Sequence, residues 1–250
     1  PVIETIPFYL NPTDGDTLIS IDHFPADARI SFEYCNNPVW YCLQTLPTIY
    51  DAESKTATGL IHNLYAVSLS KGLSENNPMI ANALRKNITD NEDSKEKSPT
   101  IIKGDAKAII KQLCSLQNPD GGISWFDWQE RESSEYVTYQ VLELLGELRQ
   151  LGFGIAAPDL SALEQKALAY YEARQMERLD EMKKRAKKSK NDIDYCLFNP
   201  YLYLRTLFPA DSFALASDNA RLLNKTLKCV EKHWRNLSLP SRGFIARPLY

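Results

Sequence analysis

Along most of this chain the apolar positions recur at helical spacing. Ile102, Ala106, Ile109, Ile110, Leu113 and Leu116 follow an i, i+3, i+4, i+7 pattern, as do Val137, Val141, Leu144, Leu145, Leu148 and Leu151. Between these two patterns lies Gln117-Asn118-Pro119-Asp120-Gly121-Gly122-Ile123-Ser124-Trp125-Phe126. Pro119 presets its own φ, and glycines take positive φ without a steric cost, so this stretch predicts a tight elbow between two helices. Gln117, Asp120, Gly121, Gly122 and Trp125 are its expected structural residues. Trp125, Phe126 and Trp128 are expected to pack beneath it.

Further helices follow from the same pattern. Asn37-Pro38 supplies a cap and a proline at the first helical position, opening a short helix through Trp40, Leu43 and Leu46. A longer helix is predicted from near Ser54 through Ala57, Leu60, Ile61, Leu64 and Leu69, with Gly72 as its terminating glycine. Asn77-Pro78 repeats the start signal for a helix through Ile80, Ala83, Leu84 and Ile88. Gly152-Phe153-Gly154 closes the helix after the elbow, and Ser161 with Glu164 reads as a capping box for the next. That helix turns Leu163, Ala167, Tyr170 and Tyr171 inward and then becomes basic at residues 182–188, which reads as a solvated end favouring the helix dipole. Asn199-Pro200 starts a short helix through Leu202, Leu204 and Leu207, ended by Pro209. Another carries Leu223, Leu227, Val230 and Trp234, and residues 238–250 begin one more.

Two stretches break the helical pattern. Residues 17–21 and 29–34 read as strands, the second alternating Ile30, Phe32 and Tyr34 with Arg29, Ser31 and Glu33. A β segment of this size cannot hold a core alone, so residues 1–35 are assigned to a neighbouring domain and residues 36–250 to the helical one. Residues 87–100 are apolar-poor and charged, and read as an exposed loop. Paired helices without recurring strands predict an α/α array, either a toroid or a solenoid. No strict repeat period is visible.

Composition narrows the chemistry. A hydrophobic content of 44% supplies ample core, and a net charge of −3 argues against nucleic acid or an anionic membrane as the main partner. No apolar run reaches the roughly 18 residues of a membrane span. The start at Pro1-Val2-Ile3, without Met or signal peptide, reads as an excised fragment. Cys35, Cys42, Cys114, Cys196 and Cys229 show no C-x-x-C spacing and are expected as buried free thiols, with a Cys35–Cys42 bridge left open. His23, His62 and His233 lie far apart, so no metal site and no cofactor is expected.

Three segments resemble the thioester-domain region of bacterial alpha-2-macroglobulin family proteins, especially those of Bacteroides-like organisms. Residues 35–47, with Asn37-Pro38-Val39-Trp40-Tyr41 and Gln44-Thr45-Leu46-Pro47, are similar to the family's N-P-A-W-Y-x-x-Q-A-L-P stretch. The elbow with Trp125-Phe126 resembles its Q-x-x-D-G-G-x-x-W-F signature. Tyr201-Leu202-Tyr203-Leu204-Arg205-Thr206-Leu207-Phe208-Pro209 is similar to its Y-L-Y-x-R-S-x-F-P segment. The resemblance implies an α/α toroid inserted in a CUB-like β domain, of which a chain of this length is expected to hold an incomplete ring. It also implies a periplasmic, cell-surface or secreted parent whose partners are its own neighbouring domains and the proteases it traps.

A thioester requires a Cys thiol and a Gln side chain three residues on. Aligned without gaps on this family, the Cys falls on Thr56 and the Gln on Gly59. Thr has no thiol and Gly no side chain to acylate it, so covalent capture is expected to be absent. Cys114-Ser115-Leu116-Gln117 satisfies the spacing literally, but its Gln belongs to the elbow signature.

The acids Asp120, Asp127, Glu130, Glu132 and Glu135 near the elbow leave a carbohydrate- or isoprenoid-processing toroid enzyme as an alternative, since glycoside hydrolysis needs two opposed carboxylates. Turn and helix capping is the expected use of Asp120 and of Glu132 or Glu135. Tyr136, Tyr139, Tyr170, Tyr171, Tyr201 and Tyr203 are expected in the core. The leading expectation is a non-catalytic domain that helps enclose proteases sterically. A surface module binding a host or envelope partner stands beside it.

Overall fold

The computed structural model describes residues 29, 45–46, 48–76, 102, 104–128, 131–190 and 192–248. The chain divides into two units, Pro1–Pro38 and Val39–Tyr250, and every element described below belongs to the second. The expected strands at 17–21 and 29–34, the Asn37-Pro38 and Asn77-Pro78 helix starts, the 87–100 loop, Cys35 and Cys42 lie outside the described residues, Arg29 excepted.

The described part is mainly helical, with isolated bridges but no strand. In chain order its helices are α1 (Ala57–Asn76), α2 (Ala106–Ser115), α3 (Glu135–Gln150), α4 (Pro158–Ser189), α5 (Asn199–Leu207), α6 (Ser217–His233) and α7 (Leu239–Ala246). Their contacts alternate. Helix α1 packs on α2 and α3, α3 on α4 and α5, and α5 on α6 and α7, while α2 packs on α4. So α1, α3, α5 and α7 form one row, and α2 and α4 lie together behind it. Burial differs from helix to helix. Helix α1 buries residues on most of its circumference, whereas α2 and α6 bury one stripe each.

One core cluster runs through α1–α5 and includes Ile61, Leu64, Leu113, Leu116, Ile123, Val141, Leu142, Leu163, Tyr201, Leu204 and Phe208. A smaller one at the C-terminal end joins Cys196, Leu202, Val230 and Ile245. Between them Glu172 accepts from the Tyr201 hydroxyl at 2.7 Å, and Asn219 donates to the same hydroxyl at 3.1 Å. Arg205 Nη1 lies 3.4 Å from Glu172 Oε1 and Nη2 donates to the Phe213 carbonyl at 3.1 Å. This tyrosine–acid–arginine group ties α4, α5 and α6 together. Burial raises the Glu172 pKa, an effect partly offset by Tyr201 and Arg205.

Several expectations are corrected. Gly72 does not end α1, which continues to Asn76. A β-carbon at Gly72 would collide with the Phe153 ring, so the glycine serves close packing. Helix α2 starts at Ala106, where Asp105 caps it by accepting from Lys107 N at 2.9 Å and Ala108 N at 3.2 Å. Ser161 and Glu164 form no capping box, because α4 begins three residues earlier on Pro158 at its first turn. Glu164 instead pairs with Arg149, whose guanidinium lies 4.9 Å from the Phe208 ring centre and 5.1 Å from that of Phe213. The inward positions of α6 are Leu222, Thr226 and Val230, while Trp234 is exposed.

The cysteines also differ from expectation. Cys196 and Cys229 form a disulfide, their Cα atoms 5.6 Å apart, which links the 3-10 turn Tyr195–Phe198 to α6. Cys114 is the free thiol among the described residues. Gly152 closes α3 in the left-handed region, with φ +77°. Phe153 N bonds Leu148 O at 2.9 Å and Gly152 N bonds Arg149 O at 3.1 Å, the two bonds of a Schellman motif.

Candidate functional site

The elbow connects α2 to α3 and folds around Ile123, which is fully buried and bridges both Gln117 and Ser134. Asn118 N bonds Gly122 O at 2.8 Å, Gly121 N bonds Asn118 O at 2.9 Å, and Ser124 N returns to Leu116 O at 3.1 Å. Thr138, one turn into α3, accepts from Ile123 N at 2.9 Å. These bonds pair much of the turn's backbone, as burying a non-helical segment requires.

The side chains complete the turn. Asp120 Oδ1 accepts from Gly122 N at 3.0 Å and from the Ser133 hydroxyl at 2.6 Å. Gly121 takes φ +90°, and a β-carbon there would strike the Lys166 carbonyl oxygen. Gly122 is packed equally closely against Ser133. Gln117 Nε2 donates to Gly121 O at 2.9 Å and to Leu163 O at 3.0 Å, fastening the elbow to α4. Both donors of that amide are therefore used within the fold. Its neighbour Cys114 sits 3.8 Å from the Asp159 carbonyl, and burial, then the Asp159 charge, pushes its thiol pKa up. A raised thiol pKa opposes the nucleophilic form that acylation would need.

Three aromatic residues expected beneath the elbow lie outside it. Trp125 and Phe126 are each 42% exposed and Trp128 is 65% exposed. Trp125 stacks on Tyr136, itself exposed, with ring centres 5.8 Å apart and planes 19° from parallel. Phe126 and Trp128 form a second pair at 5.3 Å. The space beneath the turn is already filled by Leu116, Ile123 and Val137, which leaves no room for indoles. Helix α3 is capped by Ser134, which accepts from Val137 N at 3.3 Å, so neither Glu132 nor Glu135 is the cap.

Thr56 and Gly59, the positions singled out in the sequence, lie at the start of α1, and the first turn of that helix meets the elbow through Ala57 N. Thr56 Oγ1 accepts from Gly59 N at 3.0 Å, the bond of an N-cap residue. Ser54, Thr56 and Thr58 hydroxyls follow one another at 3.3 Å spacing. Ala57 N donates to the Trp125 carbonyl at 3.0 Å, bringing the first turn of α1 onto the Trp125 backbone. A side chain at Gly59 would collide with Ser54.

Beside the elbow opens a groove of about 800 Å³, lined by Asn118, Asp120, Arg131, Glu132, Glu135 and Tyr170 among others. Arg131 donates to the Ser115 carbonyl at 2.6 Å and to Asp127 at 2.9 Å. Glu135 accepts from Gln175 at 2.8 Å and Arg178 at 2.9 Å. Glu130 lies outside the described residues.

Sequence reasoning missed a second polar strip. Tyr139, Glu143 and Glu147 succeed one another at i, i+4 and i+8 on α3, a stripe readable in the sequence as polar positions inside an apolar pattern. Tyr139 donates to Glu143 at 2.9 Å, and Tyr203 of α5 donates to Glu147 at 3.0 Å. Burial, then the Glu147 charge, raises the Glu143 pKa, while the Tyr139 hydrogen bond opposes them. Burial, then the Glu147 bond, pushes Tyr203 up to about 12. Tyr170, Tyr171 and Tyr201 are buried, Tyr139 and Tyr203 half-buried.

Comparison with protein-family models, with curated proteins and with solved structures finds no match for this chain.

Proposed function

We propose that the chain is a non-catalytic, thioester-lacking domain of a bacterial alpha-2-macroglobulin-like protein, built as an α/α toroid and acting in steric trapping of proteases. One observation carries the reading. The first turn of α1, with Thr56 and Gly59 in the thioester-aligned positions, is hydrogen-bonded to the D-G-G elbow through Ala57 N and the Trp125 carbonyl. A segment placed by counting on from the 35–47 stretch and a segment that carries its own resemblance thus meet in space. The alternating helix contacts suit a toroid of hairpins, α1 with α2, α3 with α4 and α5 with α6.

The chemistry agrees with a conformational role. Thr56 caps a helix and Gln117 holds the elbow to α4, so neither offers a group for covalent capture. The Cys196–Cys229 bridge suits a periplasmic, cell-surface or secreted parent, because disulfides persist in oxidising compartments. The domain's partners in this reading are its neighbours in the parent chain and the attacking protease.

The exposed rings of Trp125, Phe126, Trp128 and Tyr136 favour a second reading, a surface module for an envelope or host partner. An enzyme of carbohydrates or isoprenoids is the weaker alternative, since Asp120 and Glu135 are both held by internal hydrogen bonds. The test uses the parent protein incubated with excess trypsin-like protease. Steric trapping predicts lost activity on a large protein substrate, retained activity on a small peptide, and recovery on denaturation. Equal retention on both substrates would exclude trapping and leave the interaction module.

A further inference from the structure

We propose that Asp194, Cys196 and Cys229 hold a Zn²⁺ ion when the disulfide between the two cysteines is reduced. This goes beyond the protease-trapping reading and does not depend on it. Among the described residues these three form a group whose ligand atoms all lie within 4.8 Å of one another. Asp194 and Cys196 come from the 3-10 turn and its cap, and Cys229 from α6. The site is assembled by folding, so no compact ligand spacing announces it in the sequence.

The distances suit a tetrahedral ion. Zinc takes bonds of about 2.3 Å to a thiolate and about 2.1 Å to a carboxylate oxygen, which sets neighbouring ligand atoms about 3.6–3.8 Å apart. Asp194 Oδ1 lies 3.8 Å from Cys229 Sγ, already the length of such an edge. The Cα atoms of Cys196 and Cys229 are 5.6 Å apart, close enough for side-chain rotation alone to bring both reduced sulfurs onto one ion. Asp194 Oδ1 also accepts from Cys196 N at 3.0 Å, which orients the carboxylate as an outer hydrogen bond orients a metal ligand. Three protein ligands leave the fourth position to water. Cys196 is buried against Leu202, Val230 and Ile245, Cys229 is half-buried and Asp194 is exposed. The group is closed on its apolar side and open on its carboxylate side, which gives an ion a way in.

The chemistry has two steps. A dithiol reductant passes two electrons and two protons to the Cys196–Cys229 bond, leaving two thiols here and its own sulfurs joined as a disulfide. Zn²⁺ then displaces both thiol protons to solvent as two Zn–S bonds form. A pair of thiolates with one carboxylate selects zinc over magnesium or calcium, which prefer all-oxygen sites. The ligands outweigh the ion's charge, and Lys225 stands one turn before Cys229 in α6, bonded to the Tyr195 hydroxyl at 3.2 Å, as a cation on the same surface. The ion restores the tie between the turn and α6 that reduction removes. The C-terminal helices are thereby held in either redox state.

The experiment uses the full 250-residue chain, with Co²⁺ as a coloured stand-in for Zn²⁺. One sample is reduced with dithiothreitol and desalted under argon, and the oxidised chain is titrated beside it. The reduced chain should show a thiolate-to-cobalt charge-transfer band with the visible bands of a tetrahedral ion, bleached by added Zn²⁺. The oxidised chain should show neither. Cys229→Ser should remove most of the charge-transfer band, while serine at Cys35, Cys42 and Cys114 together should leave it unchanged. Asp194→Asn keeps an acceptor for Cys196 N and should weaken binding by about tenfold. Zn²⁺ should raise the melting temperature of the reduced chain, and not that of reduced Cys229→Ser. No charge-transfer band on reduction, an equal band in the oxidised chain, a band that survives Cys229→Ser, or binding untouched by Asp194→Asn would each overturn the assignment.

Discussion

Between Leu116 and Ser134 the chain reverses with its hydrogen bonds closed internally and its largest rings outside. At the C-terminal end the helices gather around a satellite cluster, Cys196, Leu202, Val230 and Ile245, and the Cys196–Cys229 bond. The elbow rests on the main core through Leu116 and Ile123, so its polar contacts need only select one backbone path. The C-terminal helices reach the main core chiefly through α5, and α6 keeps just Leu222, Val230 and two polar residues buried. Where apolar burial is thin, the disulfide and the Tyr201–Glu172–Arg205 group supply the constraint. The contrast shows two ways of fixing a turn in one domain.

Deleting core volume tests the contrast most strongly. Leu113→Ala, at a fully buried position, should cost about 2–5 kcal/mol in urea denaturation, whereas Ile245→Ala in the satellite cluster should fall at or below the lower end of that range. The reverse order would mean that the C-terminal helices carry the stability. Next comes the bridge. Its two cysteines are 33 residues apart, and replacing both by serine should cost about 3–4 kcal/mol. Hydrogen exchange should then show lost protection in α5–α7 with the elbow amides unchanged. Loss of protection at the elbow would show that the two regions are one cooperative unit.

A smaller effect is expected at Gly121, where alanine must adopt φ +90° against the Lys166 carbonyl. The cost should be about 1–3 kcal/mol, read as a lower melting temperature. Gly152, equally left-handed but with open space around it, should tolerate alanine better. Equal costs at the two positions would argue that backbone strain, and not the packing of the elbow on α4, sets the penalty.

The smallest effect is electrostatic. Burial raises the pKa of Glu143, Glu164 and Glu172 above the ordinary 4.5. A raised carboxylate pKa means that the folded state holds the proton more tightly than the unfolded one. The resulting stabilisation is fully present below the unfolded value and is lost as pH rises through the folded value. Glu143→Gln keeps an acceptor for Tyr139 and removes the charge facing Glu147. It should raise the melting temperature slightly at neutral pH and flatten its rise on mild acidification. A steeper dependence in the variant would contradict the assignment.

Much of the helical layout was legible because apolar spacing and the Asp-Gly-Gly turn act locally. The features that sequence reading placed wrongly depend on distant partners. Gly72 has the position of a terminating glycine, and only the Phe153 ring across the helix pair shows its other use. Trp125, Phe126 and Trp128 look like core by composition, yet the volume beneath the elbow was already taken by aliphatic residues. Ser161 and Glu164 fit the capping pattern, but Pro158 had started the helix and Arg149 claimed the carboxylate. Cys196 and Cys229 have no local spacing signal, because folding brings them together across 33 residues. In the candidate site, the turn chemistry of Asp120 and Gly121 could be read from sequence. The groove could not, since it draws Arg131 and Tyr170 from separate segments.

Helix α4 runs 32 residues, about 48 Å at 1.5 Å per residue, and its last buried side chain is Leu179. Lys183, Lys184, Arg185, Lys187, Lys188 and Lys190 crowd the part beyond it. At physiological ionic strength a charge is felt over about 8 Å, far less than the length of this rod. A nearby surface therefore senses the tip and not the sum. The net charge of −3 sets the direction in which the chain migrates in a field, while the end of α4, where Lys183 and Arg185 are paired with Asp180 and Glu181, holds a local excess of positive charge that the net value hides.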